Sequence, residues 1–89
     1  MNKPWFVYII KTECELYYTG ITTDVDRRFQ EHRSMRDGGN LGAKFFRGRS
    51  AKAVVYTETC VDRSEASKRE YAIKAMTRRQ KVLLIASDK

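Results

Sequence analysis

The sequence predicts an α+β fold: a small three-stranded antiparallel sheet flanked by helices, in the order β-β-α-β-α. Three observations carry it. Two short runs rich in β-branched and aromatic residues, 5–10 and 16–21, lie on either side of a polar segment. Apolar residues at helical spacing follow over 24–35 and again over 62–79. Between those helices, residues 51–57 alternate as a third strand does. With 89 residues, the chain has room for one such unit, spanning 1–89, and its core is thin.

Trp5-Phe6-Val7-Tyr8-Ile9-Ile10 reads as a strand covered on both faces. Lys11 to Glu15 is polar and short enough for a hairpin loop, and Leu16 to Ile21 then returns antiparallel to the first strand. Thr23 reads as an N-cap, with Asp24 and Asp26 in the first turn of a helix that runs to about Met35. On that helix Val25, Arg28, Phe29 and His32 share one stripe. Asp37 to Gly42, with three glycines, is a loop; Ala43 to Arg49 is either a short basic helix or an irregular arm. Asp62 with Glu65, or Ser64 alone, starts the last long helix. It runs to about Arg79 and on, after a bend, through Val82 to Ala86. Its inward stripe would be Ala66, Glu70, Ile73, Thr77 and Leu84.

Composition excludes several classes. The apolar run Trp5 to Ile10 is too short for a membrane span or a signal-peptide core. Cys14 and Cys60 do not make a disulfide framework and read as reduced thiols of a cytoplasmic protein. One histidine and no Cys-x-x-Cys argue against zinc. The net charge is +7, and six of those units fall between Arg27 and Lys52. There Arg27, Arg28, Arg33, Arg36, Lys44, Arg47, Arg49 and Lys52 face only Glu31 and Asp37. So local an excess favours nucleic acid, ahead of an anionic membrane surface or a merely solvated face.

Glu70 is the residue the fold does not explain, since it shares the face that Ala66 and Ile73 should bury. A buried carboxylate is costly unless paired or metal-bound. The alternative is a glutamate at the stripe edge, turned outward or paired with an arginine. Tyr8 and Tyr18 lie on adjacent strands and are either half-buried packing residues or neighbours in a site. Arg28 and His32, one turn apart, are either a packed stem and a boundary histidine or polar groups aimed at a ligand.

Taken together these residues resemble the GIY-YIG nuclease superfamily. Tyr8, in Val7-Tyr8-Ile9, precedes Tyr18-Thr19-Gly20 by ten residues; Arg28 follows Tyr18 by ten, His32 comes four later, and Glu70 sits on a later helix. Tyr18-Thr19-Gly20-Ile21-Thr22, the following Arg27-Arg28, the basic stretch around Arg47-Gly48 and Arg79-Gln80-Lys81 are similar to the small stand-alone YhbQ-like group. The resemblance covers the whole chain. The first triplet keeps its tyrosine but lacks the glycine, Ile21 stands where repair nucleases often carry Lys, and there is no Asn near Val82.

The resemblance implies a divalent-metal-dependent endonuclease, a hydrolase of phosphodiester bonds in DNA repair or processing. It would hold Mg²⁺ or Mn²⁺ on Glu70. Arg28 would neutralise a phosphate oxygen, and Tyr8 would orient or deprotonate the attacking water. Tyr18 would hydrogen-bond phosphate or water and His32 would relay a proton. Gly20 would let the backbone approach substrate, and Lys44, Arg47, Arg49 and Lys52 would track flanking phosphates, with Phe45 and Phe46 stacking on bases or packing in the core. The partner would be nucleic acid, DNA ahead of RNA, with no membrane, and the chain would be a monomer or weak homodimer. With no room for a reading domain, selectivity would be for nucleic-acid structure rather than sequence. Two other readings stand beside it: a non-catalytic nucleic-acid-binding module of the same fold, and a protein-interaction or membrane-surface protein using its basic patch.

Overall fold

The computed structural model describes residues 3–34 and 51–87. Three strands and three helices follow in the order β1 (Trp5–Thr12), β2 (Tyr17–Thr22), α1 (Val25–Ser34), β3 (Ala51–Cys60), α2 (Arg63–Lys74) and α3 (Arg78–Ser87). The sheet is antiparallel with β1 in the middle, in the order β2-β1-β3. The predicted fold class is therefore the observed one. The basic loop and arm expected over 37–49 lie outside the described residues.

The central position of β1 explains why its sequence lacks alternation: Val7, Tyr8, Ile9 and Ile10 are all buried because both faces are covered. Val7 and Ile9 join Tyr56, Cys60, Ala66 and Ile73 on one face, with Met76, Leu84 and Ile85 packed around them. Tyr8 and Ile10 form the other core with Ala51, flanked by Val25 and Phe29 of α1 and by Tyr18. So α1 covers one face of the sheet, and α2 with α3 covers the other.

Four boundaries differ from expectation, each for a local reason. The cap of α1 is Asp24 rather than Thr23, because the Asp24 carboxylate accepts from the Arg27 amide at 3.0 Å while Thr22 Oγ1 accepts from the Asp24 amide at 3.1 Å. Strand β3 runs on to Cys60, since residues 57–60 find partners along the first half of β1. The hairpin turns through Glu13 to Leu16, with Glu15 at φ 69°. The last helix is two. Thr77 and Gln80 form a reciprocal capping box, amide to side chain in both directions at 2.8 and 3.2 Å, and this starts α3 afresh. Thr77 is accordingly exposed rather than on an inward stripe. No helix among the described residues is long and apolar enough to cross a membrane.

Candidate active site

Strand register performs the first step of assembly. Tyr8 pairs across β1 and β2 with Gly20, and Tyr18 lies two residues along β2 on the same face. A Cβ on Gly20 would stand 2.6 Å from Tyr8 Oη and 3.0 Å from Tyr18 Cε2, so the space left by the missing side chain is filled by the Tyr8 phenol. The glycine thus makes room for a tyrosine. The expected role at the substrate is not visible in that contact.

Helix α1 supplies the opposing wall. Its stripe turns His32 into the sheet, where Nε2 lies 2.9 Å from Tyr8 Oη. Both residues are almost wholly buried. The Tyr18 ring closes the group edge-on to His32, with centroids 5.1 Å apart, and tilted to Tyr8 at 6.2 Å. One turn earlier, half-buried Arg28 donates from a terminal nitrogen to Glu31 Oε1 at 3.0 Å.

These contacts set the protonation states. Burial pushes the Tyr8 phenol well above its ordinary value, and the neighbouring Tyr18 adds to the shift, while the Arg28 charge favours the phenolate and only partly offsets it. Burial also lowers His32 to about 4, helped by Arg28 and opposed by Glu31. At neutral pH the pair is therefore a protonated phenol against a neutral imidazole. Burial disfavours the Arg28 cation, but Glu31 and Tyr8 outweigh it and hold the guanidinium charged.

Glu70 sits on α2, which packs against β2 and β1. Its side chain is 23% exposed, and Oε2 lies 3.3 Å from Lys74 Nζ. The partner is thus a lysine one turn along, not an arginine. Glu70 is also among the charges that raise Tyr8, which puts it within electrostatic reach of the tyrosine cluster.

Five of the expected residues, Tyr8, Tyr18, Gly20, Arg28 and His32, are therefore one cluster, with Glu70 acting on it by charge. Lys52 is not part of it: it is exposed on β3, at the sheet edge away from β2. Lys44, Arg47 and Arg49 lie outside the described residues. Two partners were not anticipated, Glu31 for Arg28 and Lys74 for Glu70. Their spacings of three and four residues on helices are the signal that could have found them.

Comparison with known proteins finds one family over most of the chain. The model of the GIY-YIG catalytic domain matches residues 4–82. The UPF0213 protein DP2720 of Desulfotalea psychrophila is 50% identical over 90 residues, which cover 99% of this chain and 78% of that protein. The UPF0213 protein YhbQ of Escherichia coli is 46% identical over 83 residues, 93% of this chain and 78% of that protein. The solution NMR structure of the UPF0213 protein BH0048 from Bacillus halodurans shares 38% identity, with a TM-score of 0.57 over 93% of this chain and 83% of that one.

Proposed function

The chain belongs to the GIY-YIG catalytic-domain family, and on that premise we propose that it is a divalent-metal-dependent endonuclease hydrolysing phosphodiester bonds in DNA. Family membership suggests a nuclease acting on nucleic acid; DNA, the metal and the chemical roles below are our reading. The observation that carries it is the buried Tyr8–His32 hydrogen bond beside Arg28. Apolar side chains of similar volume would fill that space without the desolvation cost of two polar rings, so the pair calls for a functional reason.

A phenol alone is a poor base at neutral pH. Joined to a neutral imidazole it need not ionise in advance. With Nε2 unprotonated, Tyr8 donates to His32; as Tyr8 Oη takes a proton from the attacking water, its own proton passes to Nε2. The result is hydroxide attack, an unchanged phenol and an imidazolium. Arg28, steadied by Glu31, then offsets the negative charge growing on the phosphate oxygens. Tyr18 holds the imidazole edge and can hydrogen-bond phosphate or water.

Glu70 fits a hard cation. Among the described residues no group of three acidic, His or Cys side chains converges, so a cation here would take one half-buried carboxylate and fill its shell with waters and phosphate oxygens, as Mg²⁺ commonly does. Bound Mg²⁺ or Mn²⁺ would supply charge stabilisation at the phosphate and leaving oxygen. We place the activity in DNA repair or processing, with selectivity for nucleic-acid structure, in a monomer or weak homodimer.

The test is cleavage of supercoiled DNA by the purified chain with and without Mg²⁺ or Mn²⁺. Cutting should require the metal and vanish in Glu70→Ala while the fold is retained. Undiminished cutting by that variant would overturn the assignment. A non-catalytic nucleic-acid-binding module is the second reading, favoured by the lack of an Asn near Val82, where many family members carry one. Binding with no cleavage at any metal concentration would establish it.

A further inference from the structure

A depression of about 330 Å³ opens beside Arg28, where the end of β2 meets the starts of α1 and α2. Trp5, Thr23, Arg27, Arg28, Glu31 and Arg63 contribute to its wall. Three guanidiniums thus meet one carboxylate, and Glu31 already accepts from Arg28. Arg27 and Arg63 are exposed and make no ion pair with any described residue. Arg63 is nevertheless not loose, because its guanidinium carbon lies 5.7 Å from the centre of the Trp5 ring. The helix-cap carboxylates Asp24 and Asp62 each accept from a backbone amide of their own helix.

Two arginines from different helices, neither ion-paired to a described residue, line the depression beside the arginine proposed to meet the reacting phosphate, and leave a concentrated positive charge in a concave site. We infer that this depression is a phosphate-backbone subsite: Arg27 and Arg63 hold a phosphate next to the one being cut, and Trp5 positions Arg63. This rests on the nucleic-acid reading above. It adds a site beside Arg28 that Tyr8, Tyr18, Gly20 and His32 do not line, built by α2 as well as α1. The 5–10 run and the start of the last helix therefore contribute to substrate binding, whereas the charge pattern pointed only to 27–52.

The experiment is equilibrium binding of a short fluorescein-labelled DNA duplex in EDTA, titrated with salt, with turnover measured separately in Mg²⁺. Arg27→Ala and Arg63→Ala should each flatten the dependence of log affinity on log salt by about 0.9, as expected for one lost phosphate contact. KM should rise several-fold with kcat nearly unchanged. Arg79→Ala, which removes an equal exposed charge from α3, should flatten it much less. Trp5 is the single tryptophan, so wild-type emission should change on binding. An unchanged emission, or an equal loss in Arg79→Ala, overturns the subsite while leaving the nuclease reading intact. A wild-type chain that binds no DNA overturns both. Binding that behaves as stated without cleavage overturns only catalysis.

Discussion

Replacing Gly20 with alanine tests the site where it is least able to adjust. The new Cβ would lie 2.6 Å from Tyr8 Oη, 2.8 Å from Tyr8 Cζ and 3.0 Å from Tyr18 Cε2, where ordinary contact begins near 3.4 Å. A shift of about 0.8 Å is needed, and Tyr8 has little room for it. Its ring is 1% exposed and its hydroxyl is tied to fully buried His32. Overpacking of this kind costs about 1–3 kcal/mol, and stretching the Tyr8–His32 bond adds about 0.5–1.5 kcal/mol. Against that, alanine gains roughly 0.5–1 kcal/mol over glycine in a strand. The expected net loss is about 1–3 kcal/mol in urea unfolding, with turnover down about 10²-fold because the tyrosine is displaced. Tyr8→Phe removes the atom in closest contact, so it should cost less stability beside Gly20→Ala than in the wild type. Additivity of the two changes within roughly 0.3–0.5 kcal/mol would refute the contact, as would wild-type stability in Gly20→Ala alone.

Three further outcomes follow from the same geometry. His32 titrates near 4 when folded against 6.5 ordinarily, so the unfolded chain binds its proton first; stability should fall as pH drops from about 6.5 to about 4, and His32→Asn should remove that part of the slope in urea melts. Arg28→Lys should lower kcat by about 10–10²-fold, because a point charge cannot serve both Glu31 and a phosphate. Its urea midpoint should stay close to wild type, since the half-exposed Arg28–Glu31 pair contributes at most about 1 kcal/mol; a rate within twofold of wild type would count against a phosphate role. Thr77→Ala removes the capping box of α3 and should cost about 1 kcal/mol, seen as faster amide exchange over 78–87, and unchanged exchange there would show that packing of Leu84 and Ile85 alone holds the helix.

The fold was legible because β1 is unusual in composition and because the helices carry their caps in sequence. What was missed involves competition between signals. Thr77 and Gln80 spell a capping box, but an apolar spacing that runs through them suggested one long helix, and the local hydrogen bonds won. Residues 57–60 carry no alternation, yet a central strand with free partners extends β3 along itself. At the site, ten-residue spacings order Tyr8, Tyr18 and Arg28 along the chain without bringing them together. Their proximity comes from the β1–β2 register, which depends on a turn with Glu15 in a left-handed conformation that no residue type there announces. The bond from Tyr8 to His32 joins residues 24 apart, and only the packing of α1 on the sheet creates it.

That packing also decides which substitutions can separate chemistry from stability. Tyr8 and His32 are among the largest fully buried side chains, so in a core this thin the proposed proton path is also structure. Removing either ring leaves a cavity between α1 and the sheet, at a cost typical of core truncation. A loss of activity there says little by itself. Arg28 and Glu70 differ: their side chains are 30% and 23% exposed, and their ion pairs lie within single helices. Such pairs contribute about 0.3–0.5 kcal/mol. Arg28→Lys and Glu70→Ala therefore isolate function, whereas Tyr8→Phe and Gly20→Ala must be read as a cycle. The site thus divides into a rigid half, set by the sheet and α1, and a half exposed enough for the proposed contacts with phosphate and cation, and the rate should respond to changes in the second half at nearly constant stability.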